Sequence, residues 1–301
     1  MSDAPSAQNR LPDFYIIGAA KCGTTTLYKE LEADGRIFFC SPKEPCFFDS
    51  DVAWDKGIDW YHSLFADATA GQLCGEASTN YTRWPQVEAV PERIHQYSPD
   101  AKLIYIMRDP VKRAHSHYVH RWTKETHRHK PFTMGVREYI EQDPMCFDSG
   151  RYCDQIEQYL RYFPRDQVLL LVFEDMLADQ QACLHRVYEF LGLQWQEPQQ
   201  QDLKSENVSA DFRYHLKRHQ MMEKYKALKF MRNFTKLLPK STRDFLYNKV
   251  VDKLPGYKSI DAGFEPVPLS EGDRQWLVEL YRPHNQRLSQ QFGIDVSRWQ
   301  N

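Results

Sequence analysis

The sequence predicts an α/β fold in which a single domain has a central parallel β-sheet flanked by helices and a helical C-terminal portion. Three short apolar runs, at residues 14–17, 103–107 and 168–173, are each followed by a polar turn and a helical pattern. Continuous apolar runs are typical of strands buried on both faces, and strands that alternate with helices are typical of parallel sheets. The chain has 301 residues, of which 42% are hydrophobic, so it can bury a large core.

Breaker and capping residues bound these elements. The first strand ends at Gly18, Pro110 begins the helix after the second strand, and Gly192 closes the helix after the third. Proline is favoured in the first turn of a helix and glycine just beyond the last, so each boundary has a physical reason. The other predicted elements are a strand at residues 72–77 and helices at residues 24–31, 86–97, 111–126, 133–141, 152–163, 178–191 and 270–292.

The chain is expected to form one domain. Residues 1–12 are predicted to be a flexible N-terminus, residues 13–193 the core, and residues 194–301 a basic helical extension with a closing helix. No stretch of the sequence approaches the roughly 20 apolar residues that a bilayer span requires. The seven cysteines stand singly, without a C-x-x-C pair, which is typical of a reducing compartment. We therefore expect a cytoplasmic protein.

Charge is concentrated locally. The net charge of −2 gives no overall attraction to nucleic acid, so no nucleic-acid partner is predicted. A histidine-rich run at residues 115–130 lacks metal-ligand spacing with carboxylates, so we predict no metal there but a cationic rim. The basic segment, residues 214–253, interleaves lysines and arginines with apolar residues. It is compatible with peripheral contact to an anionic membrane or acidic glycan, or with solvated helices that bury an apolar stripe.

Residues 18–26, which read G-A-A-K-C-G-T-T-T, predict a loop that binds phosphate or sulfate. They lie between a strand and a helix, so backbone N–H groups and a helix N-terminus point to one place. A nucleotide-hydrolase loop would read G-x-x-x-x-G-K-[ST], whereas Thr24 follows Gly23 here and the only lysine, Lys21, precedes it. Nucleotide chemistry with Mg²⁺, and a glycine turn that only packs, are the alternatives at this point.

The loop resembles the 5′-phosphosulfate loop of sulfotransferases that use 3′-phosphoadenosine 5′-phosphosulfate (PAPS), in which a lysine precedes G-T-T. A second segment, R-D-P-V-K-R-A-H-S at residues 108–116, is similar to the element of that family that binds the 3′-phosphate. The resemblance implies a P-loop-like sulfotransferase fold, PAPS as co-substrate, 3′-phosphoadenosine 5′-phosphate (PAP) as product, and no metal. It assigns cofactor contacts to Lys21, Cys22, Gly23, Thr24, Thr25, Thr26, Arg108 and Ser116.

Later positions continue the resemblance. Tyr152 opens a predicted helix and is a candidate for the cofactor pocket, with core packing as its alternative. In many relatives a late basic loop closes over the 3′-phosphate and adenine, and here its candidates are Lys204, Asn207, Ser209 and Arg213.

On the acceptor side, S-P-K-E-P-C-F-F-D at residues 41–49 is similar to the P-K-E-x-x-F-F segment of sulfotransferases that act on glycosaminoglycans. The resemblance implies that Glu44 is the catalytic base and that Lys21 stabilises the leaving phosphate, since a carboxylate can take the acceptor proton and a cation can offset developing charge. Two positions depart from this branch. Cys46 stands where heparan-modifying relatives carry a histidine, and Ala77 where they carry a lysine.

The function predicted from the sequence is in-line transfer of a sulfuryl group from PAPS to a hydroxyl, with a carbohydrate or glycolipid ahead of a small alcohol, phenol or amine as acceptor. The alternatives are a P-loop kinase or nucleotide hydrolase, and a non-catalytic nucleotide-binding module. If Glu44 is not the base, His115, His117 and Glu76 are the next candidates.

Overall fold

The computed structural model describes residues 10–127, 132–195 and 268–299. Its centre is a sheet of five parallel strands in the order β2-β3-β1-β4-β5. Every residue of the middle strand, β1, is buried. The predicted fold class is therefore confirmed. The strands are β1 (Phe14–Gly18), β2 (Ile37–Phe39), β3 (Leu73–Ala77), β4 (Lys102–Met107) and β5 (Val168–Val172).

Helices flank the sheet and connect its strands. Those between β1 and β4 are α1 (Thr24–Glu32), α2 (Asp51–Trp54), α3 (Gly57–Ser63) and α4 (Val90–Tyr97). Those between β4 and β5 are α5 (Pro110–His127), α6 (Val136–Gln142), α7 (Pro144–Asp148) and α8 (Tyr152–Tyr159). Those that follow β5 among the described residues are α9 (Phe173–Ala178), α10 (Gln180–Leu191) and α11 (Glu271–Phe292).

The predicted helix at residues 178–191 is α10, which begins two residues later than predicted, at Gln180. A short helix that was not predicted, α9, precedes it. α9 begins at Phe173, directly after β5, and ends at Ala178. The carboxylate of Asp179 then accepts a hydrogen bond from the Ala182 amide at 2.9 Å and so caps the start of α10. β2 and the short helices α2, α3 and α7 were also not predicted from the sequence.

The described residues up to 120, together with 134–195 and 269–299, belong to one compact unit, and residues 121–127, 132–133 and 268 belong to a second. Within the first unit the closing helix α11 packs against α8. Arg287 on α11 forms ion pairs with Asp154 and Glu157 on α8. No helix among the described residues is both long and apolar enough to cross a membrane.

The parallel arrangement brings the carboxyl ends of β3, β1, β4 and β5 to one edge of the sheet. The loop that follows β1, the residues between β4 and α5, and the start of α9 therefore lie beside one another. In open α/β sheets ligands bind at this edge, where the chain turns from one side of the sheet to the other. Since β1 has β3 on one side and β4 on the other, the crevice between β1 and β4 is that point.

Candidate active site

The loop between β1 and α1 is the centre of the candidate site. Gly23 has a φ of 86° and lies immediately before the first turn of α1. A side chain at this position would overlap the ring of Phe173, so both the backbone angle and the close packing require glycine. No hydrogen bond among the described residues uses the amides of Gly23, Thr24 and Thr25. These N–H groups at a helix N-terminus are suited to an anion.

Two cations converge on this loop. Arg108, the first residue after β4, donates a hydrogen bond from Nη1 to the carbonyl oxygen of Lys21 at 3.2 Å. Its guanidinium lies 5.0 Å from the centre of the Phe173 ring, and its Nε is buried without an acceptor among the described residues. Burial, and then the charge of Arg108, lower the pKa of Lys21. A bound anion would accept from Arg108 and favour the charged form of Lys21.

The remaining predicted cofactor residues lie around this point in different ways. Cys22 is fully buried, and burial raises the pKa of its thiol to about 11, while its amide donates to Ala19. Tyr152 is also buried, and its hydroxyl donates to the carbonyl oxygen of Arg108 at 2.6 Å and lies 3.8 Å from the Cys22 sulfur. Tyr152 thus braces the two loops from the core side. Thr24 is buried, whereas Thr25 and Thr26 are exposed.

Ser116 is half-buried on α5, which begins at Pro110. Asp109 caps this helix, because its carboxylate accepts from the Val111 amide at 2.9 Å. At 1.5 Å of rise per residue, Ser116 lies about 9 Å along the helix axis from Pro110. The 3′-phosphate assignment of Arg108 and Ser116 stays a prediction, as do the other individual site assignments. Arg108 forms no ion pair with Asp109 or Glu76, and Asp109 pairs with Lys112, at 3.3 Å.

The segment that carries Glu44 returns to the same loop. Lys43 donates from Nζ to the Thr25 hydroxyl at 3.2 Å and lies 5.0 Å from the centre of the Tyr28 ring, which joins the segment to α1. Its Nζ is 3.7 Å from Oε1 of Glu44. The Glu44 side chain is exposed, and its charge raises the pKa of Lys21, which opposes the effect of burial. The structure therefore brings the candidate base, Glu44, close to Lys21, the candidate residue for stabilising the leaving phosphate.

Two further residues of this site were not predicted in the roles that the structure gives them. Arg83 is half-buried, and although burial lowers its pKa, the charges of Asp49 and Glu44 act on it in the opposite direction. Burial, followed by the charges of Arg113 and Arg83, lowers the pKa of His117 to about 3. His117 is therefore neutral near pH 7 and adds no charge to the predicted cationic rim. The sequence offered no signal for Arg83, because its proximity to Glu44 depends on tertiary contacts.

The site combines a glycine-bounded loop at the carboxyl edge of a parallel sheet with two converging cations and with helix-terminal amides that have no partner among the described residues. This combination is typical of P-loop-like α/β proteins that bind phosphate-containing ligands. The model of the sulfotransferase domain matches residues 11–252 of the chain. The protein belongs to the sulfotransferase family.

Several named relatives support this assignment. The chain is 33% identical over 192 residues to human heparan sulfate glucosamine 3-O-sulfotransferase 3B1. This alignment covers 62% of this chain and 48% of that protein. The chain is also 33% identical over 201 residues to human bifunctional heparan sulfate N-deacetylase/N-sulfotransferase 3. That alignment covers 62% of this chain and 23% of the relative. The chain thus spans about half the length, or less, of these curated relatives.

A solved sulfotransferase from Alicyclobacillus acidocaldarius has the same fold. It superimposes with a TM-score of 0.63 at 23% identity, over 97% of this chain and 100% of that one. The predicted contacts of Lys204, Asn207, Ser209 and Arg213, and the predicted membrane or glycan contact of the basic segment, lie outside the described residues.

Proposed function

We propose that the protein transfers the sulfuryl group of PAPS to a hydroxyl of a carbohydrate or glycolipid. The observation that carries the proposal is the convergence of Lys21, Arg108 and the free amides of residues 23–25 beside Glu44. The relatives named as heparan sulfate sulfotransferases favour a glycan acceptor over a small alcohol, phenol or amine. The cytoplasmic location stays a prediction from the sequence.

PAPS fits the residues at this site. Its 5′-phosphosulfate would accept from the amides of Gly23, Thr24 and Thr25, which have no other acceptor among the described residues, and would lie beside Lys21. Its 3′-phosphate would accept from Arg108, whose buried Nε has no acceptor among those residues either. Charged acceptors of this kind form the stronger class of hydrogen bonds.

The chemistry follows from this placement. Glu44 accepts the proton of the acceptor hydroxyl while the oxygen of that hydroxyl bonds to sulfur. The bond between sulfur and the bridging oxygen of the 5′-phosphate breaks in the same step. Lys21 and the loop amides stabilise the charge that develops on that phosphate, which leaves as PAP. Holding the acceptor and sulfur in line accounts for much of the rate, as in phosphoryl transfer.

Calorimetry with PAP, and with ATP plus Mg²⁺, tests the nucleotide site. PAP should bind more tightly than ATP plus Mg²⁺, and Arg108→Ala should weaken PAP binding by about 10- to 100-fold, because hydrogen bonds to charged groups contribute about 1.5–3 kcal/mol. Arg161→Ala removes an exposed arginine after α8 and is the matched control. Tighter binding of ATP plus Mg²⁺ would favour a P-loop kinase or hydrolase. An unchanged PAP affinity in Arg108→Ala would contradict the assigned 3′-phosphate contact.

Transfer from labelled PAPS to a panel of glycans, glycolipids, alcohols, phenols and amines tests the reaction. We expect Glu44→Gln and Lys21→Ala each to lower turnover by about two orders of magnitude, as expected for loss of a general base or of charge stabilisation. Glu44→Gln should leave PAP affinity within about twofold, since no cofactor contact is assigned to Glu44. PAP binding without transfer to any acceptor would instead identify a non-catalytic nucleotide-binding module.

A further inference from the structure

A carboxyl group without a catalytic assignment is buried at the carboxyl end of β3. Glu76 is fully buried. The Ser78 hydroxyl donates a hydrogen bond to its Oε1 at 2.6 Å, and the Tyr61 hydroxyl donates to its Oε2. The Tyr81 hydroxyl interacts with the same carboxyl group. Among the described residues Glu76 is held by hydroxyl groups and forms no ion pair, which is an unusual environment for a buried carboxyl.

The same three residues contact the segment that carries Glu44. The Cys46 amide donates to the Ser78 hydroxyl oxygen at 3.4 Å, and the Phe48 amide donates to the Tyr81 hydroxyl oxygen at 3.4 Å. The ring of Tyr61 stacks on Phe47, with centroids 4.5 Å apart and an interplanar angle of 11°. Each of these three residues therefore contacts both the buried carboxyl and this segment, within four residues of Glu44.

The direction of these hydrogen bonds follows from the acceptor. A carboxylate only accepts, and a hydroxyl has a single proton, so a hydroxyl that donates to Glu76 can offer only its lone pairs to the loop amides. Ser78 and Tyr81 are thereby oriented to accept from Cys46 and Phe48. The turn at residues 44–46 needs such support because Glu44 and Cys46 have φ values of 56° and 52°. This left-handed region is unfavourable for residues other than glycine.

We propose that Glu76 is a positioning residue for the candidate base Glu44: its carboxylate orients the hydroxyls of Ser78 and Tyr81, and these hold the turn by its backbone amides. The inference rests on the proposed function only in taking Glu44 as the base. Glu76 touches neither substrate nor cofactor in this scheme and acts through the segment at residues 41–49.

Protonation of Glu76 should weaken the arrangement, because a protonated carboxyl donates at one oxygen and one of its hydroxyl partners must then accept. Burial raises the pKa of Glu76 to about 7, so the group titrates near neutral pH. The titratable or charged side chains that lie around it are Tyr15 on β1, Cys40 after β2, Tyr61 on α3, Tyr81 after β3, Tyr159 on α8, and Cys46 and Asp49 in the segment after β2.

Glu76→Gln tests the proposal, because it keeps the shape of the side chain but presents an N–H donor to one hydroxyl. In the PAP-bound protein we expect hydrogen exchange at the amides of Cys46 and Phe48 to be about tenfold faster, whereas exchange in β4 should be unchanged. With an active acceptor, kcat should fall about tenfold at pH 8 while the PAP dissociation constant stays within about twofold. In the unaltered protein kcat should rise as Glu76 loses its proton at about pH 7, and this part of the pH dependence should be absent in Glu76→Gln.

Glu30→Gln is the matched control, because Glu30 is a half-buried carboxyl that accepts from Gln180 at 2.8 Å and contacts no part of the turn. If Glu76→Gln does not fold, Ser78→Ala and Tyr81→Phe keep the carboxyl and each remove one acceptor. They should accelerate exchange at Cys46 and at Phe48, respectively. Folded variants with unchanged exchange and unchanged kcat would overturn the proposal, as would PAP affinity that falls in parallel with kcat.

The exchange measurement also separates this proposal from the proposed function. Faster exchange at the two amides, in a protein that transfers sulfuryl to no acceptor, would support the positioning of the turn and contradict the proposed reaction. Loss of transfer in Glu44→Gln with full transfer in Glu76→Gln would support the proposed reaction and contradict the positioning role of Glu76.

Discussion

The buried carboxyl of Glu76 predicts how the stability of the protein depends on pH. Burial raises its pKa from the usual 4.5 to about 7, against the opposing hydrogen bonds from Ser78, Tyr61 and Tyr81. The folded protein therefore binds this proton more tightly than the unfolded chain. The favourable contribution of the protonated group is fully present below about pH 4.5 and is lost as pH rises through about 7.

The magnitude follows from the difference between the two pKa values. An increase from 4.5 to about 7, at about 1.4 kcal/mol for each tenfold change in proton affinity, corresponds to about 3 kcal/mol. Because the group is fully buried, solvent does not screen this contribution. Glutamine is neutral at every pH, so Glu76→Gln should remove the slope, and any effect of the substitution on packing should shift the whole curve equally.

Urea unfolding of the two proteins at intervals between pH 5 and pH 8 measures the effect. The free energy of unfolding of Glu76→Gln, relative to that of the unaltered protein, should increase by about 3 kcal/mol across the whole titration, and most of this change should occur between pH 5 and 7.5. Other carboxyls titrate in both proteins and cancel in the difference. Parallel curves across this range would show that Glu76 is not protonated in the folded state near pH 6 and would refute the reasoning.

Three further predictions concern the loop and its supports. Gly23→Ala places a methyl group against Phe173 at a φ of 86°, so it should weaken PAP binding more than tenfold by calorimetry and lower the melting temperature. Its control is Gly71→Ala, which has a φ of 87° but open space around it and should leave PAP binding unchanged. Tyr152→Phe leaves the Arg108 carbonyl without its hydroxyl partner and should cost about 1–3 kcal/mol in denaturant unfolding, whereas Tyr162→Phe, at an exposed ring, should cost nothing measurable. With a pKa of about 3, the His117 ring should show no NMR titration between pH 5 and 8, and an inflection in this range would contradict its burial among cations.

Much of the sheet could be predicted from the sequence, because β1, β4 and β5 are continuous apolar runs with strong breakers after two of them. β2 could not, because it has only three residues, Ile37–Phe39, and lies in an aromatic-rich region without periodicity. α9 was missed for a different reason. It has only six residues and begins at Phe173, which the apolar run at residues 168–173 assigns to the end of a strand. Asp179, with φ of −148° and ψ of 88°, separates it from α10.

The candidate site divides in the same way. Lys21 and Arg108 could be predicted because each lies within a few residues of the end of a strand, so a local pattern specifies where they meet. The neutral state of His117 and the connection from Glu76 to the Glu44 turn could not. Both depend on which groups tertiary packing places around a side chain that is partly or wholly removed from solvent, and no spacing along the chain encodes that environment.

The strand order separates the residues proposed for the acceptor side from those proposed for the donor side. The donor loop and Arg108 follow β1 and β4, whereas Glu76 and Ala77 end β3 on the opposite side of β1. Neighbouring strands are about 4.8 Å apart, so the two sets of residues share one sheet edge but sit on different supports. Substitutions at Cys46 or Ala77 can therefore change what the Glu44 turn accepts without altering the amides and cations of the phosphate loop. On this argument, Cys46→His should change the ranking of acceptors in the labelled PAPS panel while leaving PAP affinity within about twofold; a parallel loss of PAP affinity would show that the two sides are not independent.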